Sequence, residues 1–141
     1  MDGGTYTLVL DRERQDSLEV GALGQRTLSA GWYAYTGSAL GSGGFSRVER
    51  HRAVADGENG TRHWHVDYLL GDAATTLDSV VTTPADIECA VAERLLALTD
   101  AHVVAAFGCS DCGCRSHLVG HESRETLCRA VERAHAAAVD R

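Results

Sequence analysis

The chain predicts an α+β fold on a small antiparallel or mixed sheet. Two observations carry this. Strand-like and helix-like segments come in runs rather than in strict alternation, which disfavours a doubly wound parallel fold. The 141 residues fit one domain, and 44% apolar residues are enough to fill one core. No repeat, low-complexity tract or linker divides residues 1–141.

Residues Thr5 to Leu10 alternate and are rich in β-formers, giving a first strand. Ser17 to Leu23 and Gln25 to Ser29 read as a short ribbon, with Gly21 and Gly24 as its turn points. Gly31 to Thr36 is an aromatic-rich strand, closed by a turn at Gly37-Ser38. Phe45 to Ala55 is a helix, and Asp56-Gly57 ends it. His63 to Leu70 is a short helix and Thr75 to Thr82 a further strand. Thr83 as N-cap with Pro84 behind it predicts a helix over Ala85 to Leu98, with Ile87, Val91, Leu95 and Leu98 on one face. Val103 to Phe107 is apolar and strand-like, Gly108 to His117 is a cysteine-rich loop, and His117 to His121 is a last strand. Ser123 caps a final helix that runs to about Val139.

No apolar run is long enough to span a bilayer. The first residues carry no export signal, so the cytoplasm is the expected compartment. Five cysteines there point to buried thiols or a metal site rather than to disulfides. Cys89 and Cys128 are read as core residues. Net charge is -7, and all thirteen basic residues are arginine. An acidic, lysine-free chain fits a high-salt cytoplasm or a GC-rich genome. Acidity alone argues against a nucleic-acid partner, but it counts for less where salt suppresses counterion release. Locally the balance reverses. Arg47, Arg50 and Arg52 surround His51 beside the glycine turn at residues 41–44.

Arg47 and His51 are four apart and share a helix face. With Tyr6 and Tyr35 they make a set suited to phosphodiester chemistry. A guanidinium stabilises anionic phosphate oxygens, and a tyrosine or a histidine handles the proton of an attacking water. A second constellation, Cys109, Cys112, Cys114 and His117, has a local spacing that Zn²⁺ can use.

The stretches Gly4-Thr5-Tyr6, Tyr33-Ala34-Tyr35-Thr36-Gly37-Ser38-Ala39, Arg47 with His51, His63 to Leu70, Glu88-Cys89 and Phe107 to Leu118 occur in a meaningful order. Together they resemble the GIY-YIG nuclease superfamily, and within it a branch labelled DUF123 or Uri-type endonuclease. The resemblance implies a central three-stranded sheet flanked by helices, with the ribbon as an insertion between two core strands. It implies an endonuclease that hydrolyses DNA, in repair or processing, with Mg²⁺ or Mn²⁺. Tyr6, Tyr35, Arg47 and His51 would be catalytic, with Glu88 as the metal-binding carboxylate. Gly37, Ser38, Arg50 and His65 would face substrate, and Asp67 would line the same cleft. The first tripeptide has Thr5 where the family has isoleucine, and Thr36 follows Tyr35. Two other readings stay open: a nucleic-acid-binding module of this fold that does not cut, and a zinc-stabilised interaction domain centred on the cysteine loop.

Overall fold

A computed structural model describes residues 3–40, 43–58, 60, 65–104, 107 and 116–139, with the backbone alone at 22. The fold is α+β. Its main sheet contains β1 (Thr5–Arg12), β4 (Gly31–Ser38), β5 (Thr75–Thr83), β6 (His102–Val103) and β7 (Leu118–His121), in the order β5-β1-β4-β7-β6. Every pairing in it is antiparallel. The ribbon is a separate two-stranded sheet of β2 (Asp16–Glu19) and β3 (Gln25–Leu28). A 3₁₀ turn at Gly21–Leu23 joins them, and Gly21 (φ 47°) and Gly24 (φ 75°) supply its left-handed backbone.

The sheet has five strands where the resemblance implies three. A sheet ending at β4 would leave the peptide groups of Trp32 to Tyr35 unpaired along one edge. Strand β7 covers that edge, pairing Tyr35 with Leu118 and Trp32 with His121. Strand β6 then covers β7 with His102 and Val103; Val104 already lies outside it, and residues 105 and 106 of the apolar run lie outside the described residues. On its other side β1 pairs with β5, and the register slips between Val9 and Leu10. The slip is a bulge that leaves Asp78 without a Cα partner on β1. Asp78 instead meets Arg124 at 2.9 Å.

Period-two alternation sends the strand residues to two cores. Tyr6, Leu8, Leu10, Tyr33 and Tyr35 pack with α1 (Ser46–Ala55), α2 (His65–Leu70) and the ribbon residues Leu18, Val20 and Leu28. Val9, Ala34 and Val119 pack with α3 (Glu88–Leu96) and α4 (Arg124–Val139), through Val91, Leu95, Leu127, Val131, Ala134 and Ala138. Ser123 caps α4, its hydroxyl accepting from the Thr126 amide at 3.2 Å.

Two expectations fail locally. Helix α3 begins at Glu88, after an N-cap at Ile87 that makes no side-chain bond. Thr83 cannot cap it, because its backbone is still paired with Thr5 in the sheet. Cys89 is exposed, not core, because the buried stripe of α3 starts at Val91; Cys128 is half-buried. No described helix is long and apolar enough to cross a membrane.

Candidate functional site

The site forms at one end of the sheet, where β1 starts and β4 finishes. Tyr6 lies opposite Gly37 in the β1–β4 register. Its ring rests over Gly37, where a Cβ would come within 2.5 Å of the phenol. The Tyr6 hydroxyl then reaches His51 Nε2 at 2.7 Å, and the Tyr6 and Tyr35 ring centroids are 6.5 Å apart. Helix α1 presents Val48, His51 and Val54 as its buried face. One turn before His51, the Arg47 guanidinium donates to the Ser38 carbonyl at 2.5 Å.

Burial dominates the protonation of both tyrosines. It pushes the Tyr6 phenol far above its usual value, against the pull of the Arg47 charge and hydrogen bond. Tyr35 rises for the same reason, helped by Tyr6 and the Glu88 charge. Tyr6 is therefore a neutral hydroxyl at ordinary pH, and Arg47 alone does not make it a phenolate.

Asp67 completes this end of the site. It stands on α2 among Val66, Leu69 and Leu70 and is wholly buried. The Arg50 guanidinium forks onto it, Nη1 donating to Oδ1 and Nη2 to Oδ2, each at 3.0 Å. His51 Nδ1 lies 3.7 Å from the same Oδ1. A carboxylate there favours the tautomer with its proton on Nδ1, leaving Nε2 to accept from Tyr6. Asp67, His51 and Tyr6 thus stand in line, a charge contact of 3.7 Å followed by a hydrogen bond of 2.7 Å. Sequence reasoning put Asp67 in the cleft without this role. The available signal was a carboxylate at a core position between buried apolar residues, which requires a partner.

The carboxylate end lies at the start of α3. Glu88 Oε2 is 3.4 Å from His117 Nδ1, and with Cys89 the ligand atoms lie within 4.8 Å of one another. Burial lowers the His117 pKa, which keeps its imidazole neutral and able to bind a metal. The Glu88 charge is felt at both Tyr6 and Tyr35. A carboxylate, an imidazole and a thiol this close fit a divalent cation. A cavity of about 390 Å³ lies against Asp86, Glu88 and Cys89.

The predicted residues thus fall into groups. Tyr6, Tyr35, Arg47 and His51 share one electrostatic neighbourhood with Glu88. Gly37 and Ser38 serve Tyr6 and Arg47 through space and through a carbonyl. Arg50 turns toward Asp67. His65 packs edge-on against Phe107, with ring centroids 5.6 Å apart. Cys109, Cys112 and Cys114 lie outside the described residues, so of the zinc constellation only His117 is placed.

A family model described as a domain of unknown function, DUF123, matches residues 5–140. No curated protein and no solved structure matches the chain.

Proposed function

The chain belongs to the DUF123 family, and we propose that it is a metal-dependent endonuclease of GIY-YIG type that hydrolyses DNA phosphodiester bonds. The observation that carries this reading is the alignment of Asp67, His51 and Tyr6, with the Arg47 guanidinium bonded to the phenol and the Glu88 charge acting on it. In this reading Tyr6 takes a proton from the attacking water as its own hydroxyl proton passes to His51 Nε2. The water oxygen forms the new bond to phosphorus, and the bond to the leaving sugar oxygen breaks. That oxygen takes a proton from solvent. Asp67, held by Arg50, stabilises the imidazolium that results. Arg47 neutralises charge developing on the phosphate oxygens. A divalent ion on Glu88 would add positive charge at a phosphate oxygen. Routing the proton to His51 avoids a standing phenolate, which burial of Tyr6 opposes.

The test is nicking of supercoiled DNA in Mg²⁺ or Mn²⁺ at high salt. Tyr6→Phe, Glu88→Ala and Asp67→Asn are expected to lose about 100-fold or more in rate. Circular dichroism of each variant checks that the fold survives. Full activity in both Tyr6→Phe and Glu88→Ala overturns the site. A second reading, a DNA-binding module that does not cut, is favoured by one observation. Tyr6, Tyr35 and His51 are only 2%, 6% and 0% exposed, as suits a structural network. DNA retention by the wild-type chain with no nicking under any metal selects it.

A further inference from the structure

Glu88, Cys89 and His117 bring three kinds of ligand atom to one place, and the chain anchors both segments that supply them. Just before α3, the Thr5 hydroxyl donates to the Ala85 carbonyl at 2.8 Å and accepts from the Ile87 amide at 3.0 Å. Around His117, its amide donates to the Phe107 carbonyl at 2.8 Å, and its carbonyl accepts from the Thr36 amide at 3.0 Å. The donors are therefore presented by fixed backbone. A tetrahedral ion with bonds of roughly 2.0–2.3 Å holds its ligand atoms roughly 3.3–3.8 Å apart. The Glu88–His117 separation of 3.4 Å already has that value. Cys89 is exposed, so its thiol can close the remaining gap by a rotamer change.

We propose that Glu88, Cys89 and His117 form a three-donor site for a first-row transition cation of the zinc class, in which the described residues leave one coordination position for water or a phosphate oxygen. The inference rests on the nuclease reading for the use of that open position, and it changes the ion expected on Glu88. One carboxylate suits Mg²⁺, which takes oxygen ligands and keeps several waters. A thiolate and an imidazole select Zn²⁺ or Co²⁺. Binding displaces the Cys89 thiol proton to solvent and leaves every oxidation state unchanged. The site shares His117 with the cysteine-loop reading but needs no residue between 109 and 115.

The probe is Co²⁺, titrated into metal-free full-length chain and followed by its optical spectrum. Because the loop thiols can also bind cobalt, the titration is run in a Cys109→Ser, Cys112→Ser, Cys114→Ser background. The expected result is one Co²⁺ per chain with a thiolate-to-cobalt absorption band. Adding Cys89→Ser should abolish the band, and Glu88→Gln should weaken binding by at least about ten-fold. No band in that background, or a band indifferent to Cys89→Ser, overturns the inference. Should that background fail to fold, Cys89→Ser alone must lower the cobalt stoichiometry of the otherwise native chain by one; an unchanged stoichiometry overturns it equally. Cobalt bound as expected with no nicking by the wild-type chain sinks the nuclease reading and leaves this site standing. Nicking in Mg²⁺ without a Cys89-dependent cobalt band does the reverse.

Discussion

Gly37 is determined by space rather than by backbone conformation. The Tyr6 ring sits where its side chain would be, and a Cβ would come within 2.5 Å of Tyr6 Cζ and Oη. Tyr6 has little room to yield, because His51 holds its hydroxyl at 2.7 Å and Tyr35 packs beside it. Gly37→Ala should therefore cost about 1–3 kcal/mol, read as a lower urea midpoint at constant slope. The cost belongs to one pair of residues, so a double-mutant cycle can isolate it. In a Tyr6→Leu background most of it should disappear. If Gly37→Ala costs as much without the ring as with it, the strain lies elsewhere. Arg12 is the opposite kind of residue, a large charge buried for structure. Its guanidinium donates to Asp72 at 3.0 Å and to Thr75 at 2.9 Å, tying the end of β1 to the start of β5.

Helix α4 is joined to the sheet by a polar contact inside an apolar face. Leu127, Val131, Ala134 and Ala138 pack on the sheet, and His135 lies buried among them. Its Nε2 meets the Thr7 hydroxyl at 2.8 Å and its Nδ1 the Thr83 hydroxyl at 2.9 Å, so one imidazole bridges β1, β5 and α4. Thr7 continues the network to Thr36 of β4 at 3.0 Å. Burial lowers the His135 pKa, and it lowers that of His117. The unfolded chain, with histidines near about 6.5, then binds more protons than the folded one as pH falls through that value. The stabilisation is thus fully present above about 6.5 and is lost on acidification. Urea midpoints should fall between about pH 7.5 and about pH 5, and His135→Gln should flatten that fall. Equal slopes for wild type and variant would remove His135 from this role. Much of this architecture was legible in the sequence. Alternation marks β1, aromatic content marks β4, and Ser123 marks the start of α4, because these signals are local. The apolar run from Val103 signals a strand, but the two residues that pair, His102 and Val103, are set by the edge that Gly120 and Val119 offer. The Thr83-Pro84 signal misleads because tertiary pairing holds Thr83 in the sheet. In the site, Tyr6 with His51 followed from motif order. Arg50 with Asp67 did not, since 17 residues separate them and only packing α1 on α2 reveals the pair.

For the whole molecule the governing quantity is charge. Twenty acids against thirteen arginines give -7, and the basic group on α1 is partly spent internally. Arg50 is committed to Asp67, and Arg52 lies 4.0 Å from Glu49. Surplus acidic charge on a small domain repels itself and opposes the compact state. Salt screens that repulsion: the Debye length falls from about 10 Å at 0.1 M to about 3 Å at 1 M. The buried Arg50–Asp67 pair is screened far less, because its carboxylate is wholly buried. Added NaCl should therefore stabilise the chain, raising the urea midpoint at about pH 7.5. Salt also strengthens apolar burial, so the gain needs a control in which charge changes and the core does not. Measurement near the isoelectric point of 5.4 provides it. There the net charge is close to zero, and the increment from the same NaCl step should shrink markedly. The increment is compared rather than the midpoint, because histidine protonation lowers the midpoint at that pH for its own reason. An equal increment at both values of pH would mean that salt acts on the core, and the acidic surface would then have no role in stability. A larger increment at neutral pH would also bear on the proposed partner. The acidic surface that opposes folding equally opposes a polyanion, so DNA should be engaged best under the salt that most stabilises the fold, the reverse of the usual dependence.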